Sequence, residues 1–151
     1  MSTPLPKDVR EAPWDARALG IPAYEITLLT PEVEEWLERT EGFFTLKLRA
    51  EQHKGGAVER LGFYYCDTLL QPSCVCERFK PHEDGRCSLT SEFDIGEVFL
   101  MARGSFTHDR FHKDMTIAQE VADDRYIRWL SDLRADGRLF AFLWEGRELA
   151  G

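Results

Sequence analysis

The stretch from Phe43 to Leu70, FFTLKLRAEQHKGGAVERLGFYYCDTLL, decides the fold that this sequence predicts. Its first part alternates apolar and polar residues, which is typical of a half-buried strand. Its middle places four apolar residues on one helical stripe, and Gly62 follows where a glycine commonly ends a helix. Its last part is aromatic and rich in strand-forming residues. We therefore expect a strand–helix–strand crossover within a sheet that helices cover.

The segment before this stretch adds another strand and helix. Tyr24–Leu29 alternates in the same way, and Thr30 and Pro31 combine a hydroxyl cap with a proline at the first helical position. Residues 24–70 thus predict the order β-α-β-α-β. Residues 1–12 are polar and are expected to form a flexible arm.

The second half of the chain predicts two helices and a hairpin. Asp94 with Glu97 three residues later resembles a capping box, which favours a helix over 94–103, although the apolar run there also fits a buried strand. Thr116 with Gln119 predicts a second helix that ends at Gly137. A strand over residues 139–144 and a tight turn at 145–146 then predict a hairpin.

These elements predict an α/β (α+β) fold in two parts. The N-terminal half-domain spans residues 13–80, and the second part, with its two helices and hairpin, spans 93–151. Turn-forming residues are concentrated between them, so we expect a linker over residues 81–92.

Composition narrows the class of protein. The 151 residues include 43% hydrophobic residues, enough for a packed core, and carry a net charge of −8. Nucleic acid and anionic membranes bind clustered cations, so this acidic balance argues against both as partners. No apolar run reaches the roughly 20 residues of a membrane span. We expect a cytoplasmic protein whose four cysteines are reduced.

Short motifs along the chain occur in an order known from one family. The second half contains Ser105-Phe106, Arg110-Phe111-His112, Tyr126 with Trp129, and the hairpin at 139–151. The first half contains Pro13-Trp14-Asp15, Gly20, Leu61-Gly62-Phe63 and Asp67-Thr68. In this order the motifs resemble those of GNAT-superfamily N-acetyltransferases, in particular the dTDP-fucosamine acetyltransferase-like group.

The resemblance implies a mixed sheet flanked by helices and a transfer of an acyl group from acetyl-CoA, or another acyl-CoA, to a primary amine, including that of an amino sugar. It implies an acceptor pocket lined by Arg110, His112, Tyr126 and Trp129, although Tyr126 and Trp129 also fit the core of an amphipathic helix. In the family, the loop that binds the cofactor pyrophosphate and the catalytic tyrosine follow the hairpin. The present sequence has neither at that place, so we expect it to be inactive alone.

Another candidate for the cofactor loop lies in the first half. Gln52, Lys54, Gly55, Gly56 and Ala57 fit the pattern Q-x-x-G-x-A, after a predicted strand and before a predicted helix. Backbone N–H groups in that context bind phosphate. The competing interpretation is a short amphipathic crossover helix that contains a flexible glycine pair.

A cluster of possible metal ligands falls near the predicted linker. Cys74, Cys76, His82 and Cys87 lie within fourteen residues, and thiolate and imidazole are the usual zinc ligands. Cysteine is also common as a small apolar residue, which is the alternative.

The second hypothesis for function is a binding or assembly module without catalysis. The hairpin at 139–151 would leave an unpaired strand edge, which a second copy in a homodimer or a separate partner chain could complete.

Overall fold

The computed structural model describes residues 4–52, 56–80, 84–146 and 148–149, the last two by their backbone only. The chain divides into two compact units, Met1–Cys66 and Asp67–Gly151. The division lies fourteen residues before the linker that the sequence predicts at 81–92.

The first unit contains a three-stranded sheet and two helices. In chain order these are β1 (Val9–Glu11), α1 (Pro13–Leu19), β2 (Ala23–Ile26), α2 (Pro31–Leu37) and β3 (Phe43–Leu46). The strands lie in the order β1-β2-β3, with β1 antiparallel and β3 parallel to β2. The region predicted as a flexible arm therefore contains an edge strand.

The crossover unit of this sheet is β2–α2–β3, one unit earlier than the opening stretch predicts. The side chain of Thr30 accepts a hydrogen bond from the backbone N–H of Val33 at 3.3 Å, which confirms the predicted start of α2. The strand predicted to begin at Phe43 is also confirmed.

The prediction of an α-helix after β3 is wrong. The described residues there form two single 3-10 turns, Ala50–Gln52 and Glu59–Leu61, and Gly62 ends the second with a φ of 86°. A glycine pair in the middle of the segment disfavours a continuous helix, since each glycine costs about 1 kcal/mol relative to alanine. The strand predicted after Gly62 is also wrong, and Tyr65, Leu69 and Leu70 are exposed there.

The core of the first unit lies between α2 and one face of the sheet. Val9, Ile26, Val33 and Trp36 are buried and packed together. The strand register places Val9, Ile26 and Leu46 on the same sheet face. Alternation along the strands thus buries one face against the helix.

The opposite face of this sheet carries a charged network across all three strands. Glu25 on β2 is buried and hydrogen-bonds Arg10 of β1. Lys47, just after β3, lies 2.5 Å from the Glu25 carboxylate. Burial raises the pKa of Glu25, but the hydrogen bonds and charges of Lys47 and Arg10 outweigh it, so that the pKa is lowered from its ordinary value of 4.5.

The lowered pKa of Glu25 gives a prediction for acid stability. A carboxyl with a lower pKa in the folded state stabilises the fold above its unfolded-state pKa, near pH 4.5, and this contribution is lost as the pH falls through the folded-state value. Glu25→Gln should lower the free energy of unfolding by about 1 kcal/mol at pH 7 and flatten its slope below pH 4.5. Urea denaturation from pH 3 to pH 7 measures both.

The control for this prediction is Glu35→Gln. Glu35 pairs with Arg39 at 2.5 Å, but both side chains are more than half exposed. Loss of this ion pair should change the free energy of unfolding by no more than about 0.5 kcal/mol relative to the unsubstituted protein. Equal effects of the two substitutions would contradict a stabilising role for the network around Glu25.

The second unit contains three helices and an antiparallel sheet. Its elements are β4 (Cys87–Thr90), α3 (Ile95–Ala102), α4 (Arg110–Lys113), α5 (Gln119–Ala135), β5 (Ala141–Trp144) and β6 (Glu148–Leu149). The strands lie in the order β4-β5-β6. The described residues thus form a mixed α/β architecture with two small sheets, and β4 lies within the residues predicted as a linker.

The two helices and the hairpin that the sequence predicts for this unit are present. The carboxylate of Asp94 caps α3 by accepting from the N–H of Gly96 at 2.7 Å, although the capping box predicted a contact three residues on. Glu145 and Gly146 have φ values of 52° and 70° and lie between Trp144 and Glu148, the last paired residues of β5 and β6, so the predicted hairpin is present although its loop is longer than two residues. The predicted start of α5 is wrong, because Thr116 donates to Asp114 instead of capping the helix, whose N-cap is Ala118.

Across the described ranges, no helix combines the length and apolarity needed to cross a membrane.

Candidate functional site

The candidate site of the second unit is the corner where α4 meets α5. At its centre is His112, whose side chain is 3% exposed. Its Nδ1 contacts a carboxylate oxygen of Asp109, and its Nε2 lies 3.2 Å from Oδ1 of Asp123 on α5. A neutral imidazole donates through only one nitrogen, whereas the doubly protonated ring donates to both carboxylates.

Asp109 has three partners in this corner. One carboxylate oxygen caps α4 by accepting from the N–H of Phe111 at 2.8 Å, and the other contacts His112. Its carboxylate also accepts a hydrogen bond from the hydroxyl of Tyr126 on α5. Burial raises the pKa of Tyr126, and the charge of Asp109 and this hydrogen bond raise it further, so the phenol keeps its proton at neutral pH.

Asp123 and Gln119 tie the neighbouring loops to the same corner. Asp123 accepts from the backbone N–H of Gly104, just after α3, at 3.3 Å. The side-chain amide of Gln119 donates to the backbone oxygen of His112 at 3.3 Å. Among the described residues, every buried side-chain nitrogen and oxygen has a hydrogen-bond partner. The corner is therefore a fully satisfied polar network, which fixes its geometry.

Aromatic rings form a column beside this network. The ring of Phe106 is stacked on that of Tyr126, with centroids 4.1 Å apart and planes 7° from parallel. The imidazole of His112 lies 6.0 Å from the Tyr126 ring at 24°. Trp129 meets Tyr126 edge-on at 6.3 Å. The three rings thus pack against Tyr126, and Phe106 is 38% exposed.

Two guanidinium groups lie against the same corner. Arg125 lies 4.2 Å from the ring centre of Phe111, and Arg110 lies 4.9 Å from it. Phe111 is almost fully buried and anchors α4. Cation–π contact with these arginines places positive charge next to the acidic groups of the corner.

The structure brings together the four residues that the resemblance assigns to the acceptor pocket, but it changes the role of one of them. Arg110, Tyr126 and Trp129 are partly exposed and lie in a position to line a surface. His112 is buried between two carboxylates, so it holds the corner together rather than lining a pocket. Sequence reasoning missed Asp109, Asp123 and Phe106 as members of the site. The spacing of Asp109 and His112, three apart at a helix start, was the available signal.

The candidate cofactor loop is described only in part, because His53, Lys54 and Gly55 lie outside the described residues. The side chain of Gln52 accepts from the N–H of Arg49 at 3.1 Å. The N–H of Gly56 donates to the carboxylate of Glu59 at 2.8 Å. A turn of three residues follows in place of the predicted α-helix, so the helix N-terminus on which the phosphate interpretation depends is absent from the described residues.

The candidate zinc ligands are also described in part, since His82 lies outside the described residues. Cys74, Cys76 and Cys87 are exposed free cysteines. Within the described ranges, no three His, Cys, Asp or Glu side chains are grouped so as to hold a metal ion. A zinc site that includes His82 stays a prediction from the sequence.

Comparison of this chain with known protein families, curated proteins and solved structures finds no match.

Proposed function

We propose that this chain is a GNAT-like N-acyltransferase relative whose donor is an acyl-CoA and whose acceptor is a primary amine, such as that of an amino sugar, and that it does not transfer the acyl group alone. The observation that carries the proposal is the order of elements in the second unit. Helix α3, a connecting segment that here contains the short α4, helix α5 with Tyr126 and Trp129, and the β5–β6 hairpin follow one another. This order of two helices and a hairpin is the one that the resemblance implies.

The proposed acceptor surface is formed by Arg110, Tyr126 and Trp129. Acyl transfer needs a neutral amine, stabilisation of the tetrahedral oxyanion and a proton for the leaving thiolate. Burial and the carboxylate of Asp109 raise the pKa of Tyr126 above its ordinary value of 10.0, so its hydroxyl is a weaker proton donor. We therefore assign Tyr126 a lining role and no role as the acid. The proposal does not rest on Gln52–Ala57, because Gly56 is bonded to an acidic side chain there.

The second candidate function is an assembly module that completes its sheet with another chain. The observation that favours a partner chain is an exposed apolar area on the face of the second sheet, rather than at its edge, at Leu89 and Phe142. These two residues are directly opposite each other on β4 and β5, and both are exposed. Phe140 is exposed two residues before Phe142. Exposed apolar patches of this kind mark interaction surfaces.

Calorimetry with acetyl-CoA, combined with light scattering, separates the two functions. The transferase function predicts saturable binding with a dissociation constant on the order of micromolar, which corresponds to a binding free energy of about −8 kcal/mol. It also predicts that the ligand leaves the molecular mass of the protein unchanged. The second predicts no heat of binding and a mass of at least two chains. Coenzyme A without the acetyl group is the matched ligand control, and it should bind through the same nucleotide part. Absence of acetyl-CoA binding would overturn the transferase proposal.

A further inference from the structure

We propose that His112 is a pH-sensitive clasp, which holds α4 against α5 while its ring carries two protons and releases α4 when the ring loses one. The proposal concerns the second unit alone and does not depend on acyl transfer. It starts from the position of the imidazole, whose two nitrogens face carboxylates on different elements. Nδ1 contacts Asp109, the N-cap of α4, and Nε2 lies 3.2 Å from Oδ1 of Asp123 on α5.

Both partners of the ring are hydrogen-bond acceptors. An ionised carboxylate has no proton to donate, and each of these two also accepts from the backbone, Asp109 from the N–H of Phe111 at 2.8 Å and Asp123 from that of Gly104 at 3.3 Å. The doubly protonated imidazole donates to both carboxylates, whereas the neutral ring donates to one and turns a lone pair toward the other. Because the clasped arrangement needs the second proton, rising pH favours an arrangement in which one of the two contacts is broken.

The contact that the neutral ring gives up is the one with Asp123. The Nδ1 contact with Asp109 is the closer of the two and lies within a single helical turn, since the residues are three apart. The Nε2 contact instead joins residues eleven apart, on two helices. A lone pair on Nε2 would face the Asp123 oxygen across 3.2 Å, in a place where the histidine side chain is 3% exposed and water cannot solvate it.

Helix α4 is the element that opens when this contact breaks. It has only four residues, so its own backbone hydrogen bonds stabilise it weakly. Two other contacts attach it to the unit, the buried ring of Phe111 and the side-chain amide of Gln119, which donates to the backbone oxygen of His112 at 3.3 Å. Loss of the bond to Asp123 therefore removes a large part of the polar contact between α4 and α5.

The other ionisable groups of this corner keep their charge over the pH range of the proposed switch. Histidine is the side chain that ordinarily titrates between about pH 5 and about pH 8. The groups around the ring, among the described residues, are Asp109 and Arg110 from α4, and Asp123, Arg125 and Tyr126 from α5. Burial and the charge of Asp109 raise the pKa of Tyr126 above 10.0, so the phenol stays neutral, and arginine stays charged throughout.

The test compares hydrogen exchange in the unsubstituted protein and in Asp123→Asn from about pH 5 to about pH 8. An asparagine amide accepts from a protonated Nε2 through its oxygen and donates to an unprotonated Nε2 through its nitrogen, so the contact persists in both states. The backbone N–H groups of Lys113 and Asp114 bond the backbone oxygens of Asp109 and Arg110, both at 3.0 Å, and their exchange reports the opening of α4. Rates are corrected for the intrinsic exchange rate at each pH.

We expect the protection of these two amides to fall at least about tenfold over this range in the unsubstituted protein, which corresponds to about 1.4 kcal/mol. In Asp123→Asn it should change less than about twofold. The matched control is Asp124→Asn, which makes the same change in charge at the next position of α5. Asp124 contacts Arg103 at 3.8 Å and is 56% exposed, so this variant should keep the full pH dependence.

The chemical shifts of the ring nitrogens of His112 provide a second measurement, which needs no variant. We expect the proton lost on raising the pH to come from Nε2, with the same midpoint as the loss of amide protection. The proposal is overturned if the protection of α4 is independent of pH, if the ring loses its Nδ1 proton instead, or if Asp123→Asn and Asp124→Asn behave alike. Acetyl-CoA enters none of these measurements, so a failure to bind it would refute the transferase proposal and leave the clasp unaffected.

Discussion

Trp36→Ala is expected to lower the free energy of unfolding by about 3–5 kcal/mol, the largest effect of any single substitution in the first unit. Trp36 lies on α2, is 6% exposed and belongs to the buried cluster with Val33 and Ile26. Its ring meets Tyr24 edge-on at 5.0 Å and Phe44 edge-on at 5.7 Å. Truncation to alanine leaves a cavity between α2 and the side chains that pack against it, and the aromatic contacts with Tyr24 and Phe44 are lost as well.

The matched control for this prediction is Trp14→Ala. Trp14 lies on α1 of the same unit and is 43% exposed, so its removal should cost about 1 kcal/mol or less. Urea denaturation followed by far-ultraviolet circular dichroism compares the two variants without depending on the lost tryptophan as a probe. Equal losses in the two variants would show that the α2 face is not the main core of the unit.

The elements that could be predicted from the sequence are those whose ends are specified locally. Thr30 and Asp94 cap α2 and α3 through their own side chains. Glu145 and Gly146, both with positive φ, lie in the hairpin turn. In these places a few neighbouring residues determine the backbone, so reading the sequence is sufficient.

Helix α1 carries local sequence signals that are sufficient to predict a helix there. Pro13 stands at its first position, Asp15 in its first turn, and Gly20 follows its end with a φ of 73°. Proline at the start and glycine just past the end are the expected signals of a helix. The segment is only seven residues long, and its apolar pattern is correspondingly weak.

The elements that could not be predicted depend on partners far along the chain. Strand β4 exists because Cys87 to Thr90 pair with β5, more than fifty residues later. Strand β1 likewise owes its position to pairing with β2. The aromatic stretch after Gly62 has the composition of a strand but no partner strand among the described residues. Strand propensity reflects how a residue fits its neighbours in a sheet, so composition alone misleads here.

The sequence predicts which residues lie in the candidate site better than it predicts what each of them does there. Tyr126, Trp129, Arg110 and His112 do lie together, but the burial of His112 could not be read from the sequence. It results from the approach of Asp123, eleven residues away on another helix. Which side chain ends up between two carboxylates is a property of helix packing, and periodicity carries no information about it.

His112→Ala is expected to destabilise the second unit by about 2–3 kcal/mol. The substitution removes the donor that both Asp109 and Asp123 contact and leaves two carboxylates facing each other across a cavity. Asp109 and Asp123 keep 21% and 29% of their side-chain exposure, so water relieves part of the cost. For that reason the expected loss is below the about 3–5 kcal/mol seen for fully buried pairs.

His108→Ala provides the control, and Asp123→Asn tests the cause of the loss. His108 is exposed, so His108→Ala should change the free energy of unfolding by less than about 0.5 kcal/mol. If unpaired carboxylate charge causes the loss in His112→Ala, then adding Asp123→Asn should recover about 1 kcal/mol, because one of the two facing charges is removed. Urea denaturation of the single and double variants measures this coupling. A double variant that is as unstable as the sum of the two single changes would instead assign the loss to the missing imidazole volume. The contacts of His112 with Asp109 and Asp123 would then contribute no stability of their own.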